Sequence, residues 1–327
     1  MSRPSVLVVS AGEDRTADLV SAHLHDLGAS VSRWDVADFP SRLVVDARLD
    51  SAAIDPGARL GWSGTLTARD GLPPIDLTRV CGVYYRKPTP FRFPDEMTAQ
   101  ERRFAELEAR AGLLGVLASV PARWINHPLT EVPAGYKPLQ LARAARAGLL
   151  PPRSLVSSSP AAVRRFVDDL GGVVVHKGIG KDLAQPGEVP IPVTRTVTSA
   201  ELHASDGLSI TTHLFQEVID KTHDVRVTVV GEWMCAVEIH TSSAALDWRT
   251  AYDEHEYEVV TVPPPVAAGL RSFMTTYDVY FATFDFAVDR QAAWRFLEMN
   301  ANGEWLWLED ALGLGIARRL AAALAAR

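Results

Sequence analysis

Apolar positions in the opening stretch begin with a short β-branched run, residues 6–9, and residues 31–34, bounded by Val31 and Trp34, read as a second strand. Between them, residues 16–27 repeat apolar side chains at helical spacing and stop at Gly28, which predicts strand, helix, strand. "LVVDARLDSAAI" and "ARLGWSGTLTA" then alternate like strands of a meander, and "VCGVYYRKP" reads as a buried strand ending in Arg86 and Lys87. An amphipathic helix is expected over residues 98–117 and another over 136–147, the second closed by Gly148 and a Pro-Pro pair. The first third is therefore an α/β layer, with a boundary near 120–125.

After Pro152 the pattern becomes strand (154–157), helix (160–170) and strand ("GGVVVHKGIGK"). The proline-rich run "AQPGEVPIPVTRTVT" follows as a loop or hairpin. From His213 the chain is strand-rich: "THLFQEVI", "DVRVTVVG", "EWMCAVEIH", "YFATFDFAV" and "WRFLEMNA" suggest one antiparallel sheet. Helices over 265–277 and 311–324 are expected to cover it. The fold class is α+β, without an internal repeat or low-complexity tract.

Composition narrows the picture. With 327 residues, 47% of them apolar, the chain can bury a sizeable core and holds two to three domains' worth of sequence. A formal charge of −7, with both signs mixed along the chain, argues against nucleic acid as a partner. Cys81 and Cys235 are far apart and exclude a disulfide framework or zinc ribbon. The start has no long apolar targeting segment, and no run of about 18 apolar residues occurs to span a membrane. The expectation is a soluble, cytoplasmic protein.

Chemistry concentrates in "FLEMNANGEW". In a strand, Glu298 and Asn300 lie two apart and share a face, and a buried carboxylate beside an amide needs a compensating partner. The preceding strand carries Asp285, which a hairpin through "VDRQAA" brings close to both. Two carboxylates and an amide oxygen are hard ligands suited to Mg²⁺ with phosphate oxygens; the same spacing also occurs on solvated hairpin faces. Lys177 ends "VVVHK", followed by Gly178 and Gly180, where backbone N–H groups can approach a phosphate. Lys137 starts a helix. Each lysine taken alone reads first as a surface charge. The sequence lacks GxxxxGK[ST], a full GxGxxG, and the HRD and DFG pair, which sets aside P-loop NTPases and protein kinases.

In this order, Lys137, Lys177, "LFQEVI", "HDVRVTVVG", "DWR" at 247–249, Asp285 and "FLEMNANGEW" resemble an ATP-grasp ligase from about Asn126 onward. The resemblance implies that Lys137 and Lys177 contact nucleotide phosphates, that Glu217, Val218 and Ile219 form the hinge strand meeting adenine, and that Asp224 lies near the ribose. It implies Asp285, Glu298 and Asn300 as Mg²⁺ ligands, and Arg226 and Arg249 as catalytic residues facing the transferred phosphate. "VLVVSAGEDRTADLV", "VSRWDVADFP" and "GVYYRKPTPFRFP" resemble the N-terminal domain of the microviridin-type, or graspetide, peptide maturases, so the likeness runs end to end. Arg86 and Lys87 are then either a solvated strand end or a basic edge to the cleft.

The implied architecture is an ATP-grasp fold with a pre-ATP-grasp α/β domain (1–122), a central small α+β domain (123–212) and a C-terminal antiparallel-sheet domain (213–327). The implied activity uses ATP and Mg²⁺ to phosphorylate Asp or Glu side chains of a ribosomal precursor peptide and close ω-ester or ω-amide rings with Thr, Ser or Lys. Its implied partners are that peptide, leader plus core, and a second copy in a homodimer. The run 186–198, with Arg195 as its one cation, is the candidate leader surface, or an ordinary loop shielding a sheet edge. His176, His223 and His240 are candidate bases, or satisfied structural histidines. The alternative is an ATP-grasp ligase joining amino acids to a metabolite or a protein C-terminus; a non-catalytic nucleotide sensor has no need of the full lysine and metal set.

Overall fold

Asp14 starts the first helix and anchors a charge network. Its carboxylate accepts the N–H groups of Thr16 and Ala17 at the head of helix Arg15–Asp26, the satisfaction that first-turn donors require. Its other oxygen lies 3.1 Å from Arg86 Nε. The computed structural model describes residues 3–49, 62–69, 71, 73–179, 194–241 and 255–326. The chain divides into two compact units, the first made of 1–130, 279–281 and 304–327, the second of 131–278 and 282–303.

In the first unit, strands Ser5–Ser10, Ser30–Trp34, Val80–Arg86 and Arg123–Ile125 form a parallel sheet in which Ser5–Ser10 lies between Ser30–Trp34 and Val80–Arg86. Its core joins Leu7, Val9, Trp34 and Val83 to Leu113 and Leu117 of helix Ala99–Ala118. That helix is started by the Thr98–Glu101 capping box. A small antiparallel sheet of Leu43–Arg48, Ser63–Ala68 and Ile75–Asp76 follows the meander expectation; part of the predicted meander lies outside the described residues.

The last helix corrects the sequence reading. Ile316–Ala325 does not cover the C-terminal antiparallel sheet; it packs on helix Arg15–Asp26 and on the parallel strands of the first unit. Its buried face is narrow, with Ala317 and Ala321 among its leucines, and it lies so close to the sheet that a Cβ on Gly82 would sit 2.2 Å from the Leu324 carbonyl oxygen. Close backbone approach of this kind needs glycine on one side and small residues on the other. The first unit also holds Val279–Phe281: the Asn126 side chain donates to Phe281 O at 2.7 Å and accepts from the N–H groups of Tyr280 and Phe281 at 3.0 and 3.1 Å.

Arg86 is no solvated strand end either. It is 2% exposed and paired with Asp14 and Glu304, while Lys87 also binds Glu304. Burial favours protonation of Glu304, yet the Lys87 hydrogen bond and the Arg86 and Lys87 charges outweigh it and hold its pKa below the ordinary value. A carboxyl depressed in the folded state stabilises the protein above its unfolded pKa of about 4.3, and that contribution disappears as pH falls through the folded value. Glu304→Gln is therefore expected to be less stable than the parent at neutral pH, with the gap closing in acid below about pH 4. Urea midpoints across that range measure it; a pH-independent gap would mean the charge contributes nothing.

In the second unit, a four-stranded antiparallel sheet runs Thr194–Thr198, Val173–Lys177, His213–Glu217, Ser154–Ser157. His213–Glu217 thus belongs to this small sheet and not to the later one, a second correction: alternation marks a strand but not its partner. Helix Pro160–Asp169 buries Val163 and Val167 against Val174, Val197 and Phe215. Among the described residues the larger sheet follows the order His255–Val260, Trp233–Thr241, Lys221–Val230, Phe281–Asp289, Trp294–Asn300. Helix Pro264–Tyr277 covers it, with Phe273 packed against Phe284 and Phe296. Among the described residues no helix is long and apolar enough to cross a membrane.

Candidate active site

The hairpin of Phe281–Asp289 and Trp294–Asn300 sorts its side chains onto two faces, with a register shift between Asp285 and Phe286 that moves Glu298 off the face of Phe296. Phe284, Phe286 and Phe296 go to the helix-covered core. Asp285 pairs directly across from Glu298, and Thr283 from Asn300, so the three oxygen-bearing residues named from spacing share the opposite face. Asn300 Nδ2 lies 3.5 Å from Glu298 Oε1.

Asp285 is held by Arg226. The guanidinium of strand Lys221–Val230 donates twice, Nε to Oδ1 and Nη2 to Oδ2, each at 2.9 Å, and both side chains are 4% exposed. A bidentate fork fixes the carboxylate plane. A carboxylate offers about four lone-pair directions, so an Arg226-bound Asp285 remains able to meet a cation. Asp285, Glu298 and Asn300 are hard oxygen donors on one sheet face, the donor set Mg²⁺ takes, and they fit that ion.

Helix Lys137–Arg146 addresses the same face. Lys137 Nζ lies 3.7 Å from Glu298 Oε2 and donates to the Gly178 carbonyl at 3.0 Å, so one cation joins the acid strand to the segment following Lys177. One turn on, buried Gln140 donates to Met299 O at 3.0 Å and accepts Met299 N–H at 2.8 Å. It therefore occupies both backbone groups of the residue between Glu298 and Asn300. Sequence reasoning missed Gln140; its signal was a polar residue at i+3 from Lys137, on the same helix face.

The other named residues are placed as follows. Lys177 ends its strand half-buried, paired with Leu214 and Thr194; Gly180 lies outside the described residues. Glu217 accepts the Arg153 N–H at 3.0 Å and binds Arg295, so its side chain serves the strand. Val218 is 44% exposed, and the Ile219 carbonyl accepts the Lys221 N–H at 2.9 Å. Asp224 is buried and takes Lys221 Nζ at 2.5 Å, a cation that sequence reasoning did not single out. Arg249 lies outside the described residues. Arg195 stands on the edge strand Thr194–Thr198 and pairs with Glu201 at 3.1 Å; most of the proposed leader segment before it is outside the described residues.

The histidines separate into two pairs. His176 Nε2 lies 3.3 Å from His213 Nδ1 beside Phe215, and burial, followed by the charges of His213 and Arg195, lowers its pKa. His223 and His240 face each other across the neighbouring strands, ring centroids 5.0 Å apart. The loop after Asn300 turns closely over the acid strand: a Cβ on Gly303 would sit 1.9 Å from Thr283 Oγ1.

Residues 5–131 match the MvdD pre-ATP grasp domain family. Over 98% of this chain and 99% of the other, the structure is similar to the macrocyclase MdnC of Microcystis aeruginosa MRC, bound with precursor peptide MdnA, at TM-score 0.82 and 27% identity. It is similar to the ATP-grasp ligase PsnB complexed with a phosphomimetic variant of minimal precursor, Mg and ADP (TM-score 0.75, 25% identity, 98% and 97% covered). It also shares the fold of the Chryseobacterium gregarium RiPP-associated ATP-grasp ligase (TM-score 0.86, 24% identity, 98% and 96% covered). No match was found among curated proteins. With an MvdD-type pre-ATP-grasp domain over residues 5–131 and end-to-end likeness to a macrocyclase, this chain is an ATP-grasp ligase similar to those that act on precursor peptides.

Proposed function

We propose that the protein activates Asp or Glu side chains of a ribosomal precursor peptide with ATP and closes them onto Thr, Ser or Lys side chains as ω-esters or ω-amides. The observation that carries this reading is the near-complete coverage of a precursor-bound macrocyclase, N-terminal domain included. A ligase acting on small metabolites would share the ATP and acid residues; the greater likeness to a precursor-bound macrocyclase favours the peptide substrate. A homodimer, a leader surface near 186–198 and a cytoplasmic location are parts of the same proposal.

The chemistry assigns work to each residue. A carboxylate is a poor acyl donor because its oxygen leaves badly; phosphorylation by ATP gives an acyl phosphate, and a hydroxyl or amine displaces phosphate. Asp285, Glu298 and Asn300 would hold Mg²⁺, whose charge would offset that of the phosphate. Lys137 and Lys177 bind phosphate oxygens, and Arg226 keeps Asp285 in the orientation that meets the cation. Arg249 is assigned to the acyl phosphate. Glu217, Val218 and Ile219 border adenine through their backbone, and Asp224, tethered by Lys221, orients the ribose. A site fixed before the reaction begins stabilises developing charge without reorganisation.

The test is the intact mass of a candidate precursor after incubation with protein, ATP and Mg²⁺. Loss of whole waters, absent with Glu298→Ala although that variant stays folded, is the expected result. An unchanged peptide alongside ATP consumption with small amino or carboxylic acids would move the protein to the metabolite-ligase class. Normal turnover by Glu298→Ala would remove Glu298 from the site.

A further inference from the structure

A second constellation lies on the larger sheet and has no place in the chemistry above. Strands Lys221–Val230 and Trp233–Thr241 pair antiparallel, Val225 opposite Glu238 and Asp224 opposite Ile239, which sets His223 across from His240. Alternation sends Asp224 and Arg226 to one face of their strand and His223 to the other. His223, Glu238 and His240 gather there, each offering one ligand atom within 4.8 Å of the others. His223 Nε2 is 3.3 Å from Glu238 Oε1, and His240 Nε2 is 3.1 Å from Glu238 Oε2.

Thr222 offers His223 a supporting partner. Its Oγ1 lies 3.2 Å from Val288 O and 2.9 Å from His223 Nδ1; by donating to the carbonyl it can accept the Nδ1 proton and leave Nε2 to a ligand. In a neutral ring the Nε2 lone pair then points at a carboxylate oxygen. Nε2 is buried and makes no hydrogen bond of good geometry. Two electron-rich atoms held face to face call for a positive charge between them. An imidazole whose outer nitrogen is held by a protein acceptor, with its inner nitrogen aimed at a carboxylate and a second imidazole, has the arrangement of a metal ligand with its supporting shell.

We infer that His223, Glu238 and His240 bind a divalent transition-metal ion of the zinc class, separate from the oxygen set of Asp285, Glu298 and Asn300. Two imidazoles and a carboxylate favour zinc, cobalt or nickel over magnesium, which prefers oxygen alone. The side chains are 16%, 22% and 42% exposed for His223, Glu238 and His240, so the cluster opens to solvent at His240, giving an entry path and a free coordination position. Glu256 and Glu258 stand opposite His240 and Glu238 on the next strand, both exposed, and add negative potential at the mouth. The ion clamps the two strands of the 221–241 hairpin together.

The experiment is a titration of the full chain with Co²⁺, after metals are stripped by a chelator and with neither nucleotide nor Mg²⁺ present. One equivalent is expected to bind with visible d–d absorption, to persist in excess Mg²⁺, and to raise the unfolding midpoint. Glu238→Gln and His240→Ala are expected to abolish the absorption; His240 is the most exposed member, so its loss spares the fold, checked by circular dichroism. Thr222→Val leaves every ligand in place and is expected to weaken binding about 10–100-fold. A folded parent protein that takes up no Co²⁺, or binding that survives both ligand substitutions, overturns the inference.

Discussion

Replacing Asp285 with alanine is expected to lower stability by about 3–5 kcal/mol and to abolish ATP turnover. The loss comes chiefly from what remains. Arg226 is 3% exposed and spends two donors on that carboxylate, so the variant takes from a buried guanidinium the carboxylate that holds two of its donors. Apolar replacement of both partners at similar volume, Arg226→Met with Asp285→Leu, is expected to recover most of the stability, because it removes two desolvation costs together. It should recover no activity, since the acid that meets the cation is gone. Urea unfolding and ATP turnover separate these contributions. An Asp285→Ala protein as stable as the parent would mean that the ion pair does not stabilise the fold.

The second large effect lies far from the chemistry. Gly82→Ala would place a methyl 2.2 Å from the Leu324 carbonyl oxygen, 2.9 Å from its carbon and 3.1 Å from its Cα. All three are backbone atoms of a helix, which cannot swing aside as a side chain does. The helix must lift from the sheet, exposing leucines now fully buried, Leu320 and Leu324 among them. A cost of about 3 kcal/mol or more is expected, at the upper end for overpacking. Urea midpoints measure it, and faster proteolytic removal of the C-terminal helix would identify the displaced part. An unchanged midpoint would show that helix and sheet do not meet this closely.

What the sequence disclosed and what it hid follow from the range of each interaction. The opening strand, helix and strand, the capped helix after Thr98 and the acid hairpin are written in local periodicity and turn residues, so they are legible. Asp285 and Glu298 are joined by so short a turn that the hairpin brings them near each other, although a register shift between Asp285 and Phe286, which the sequence does not announce, sets them directly opposite. Choices among distant partners carry no such mark. His213–Glu217 alternates like its neighbours yet joins the smaller sheet. The final helix reads as cover for the nearest sheet, although Gly82, more than two hundred residues earlier, makes its true seat. Gln140 and Lys221 act by holding other groups in position, and beyond the place of Gln140 one turn from Lys137 nothing in their local sequence marks that role.

The return of the last helix to the first unit also sets a schedule for biosynthesis. Residues 1–130 leave the ribosome early, but their sheet lacks Val279–Phe281 and the segment 304–327 that complete the unit. At about 5–20 residues per second, the wait between residue 130 and residue 324 is on the order of 10–40 s. Throughout that interval the seat around Gly82 stands uncovered, an apolar trough open to chaperones and to neighbouring nascent chains. The second unit, contiguous but for one short excursion, can close before its predecessor does. Assembly therefore runs against the order of synthesis, and the domain begun first is the one finished last.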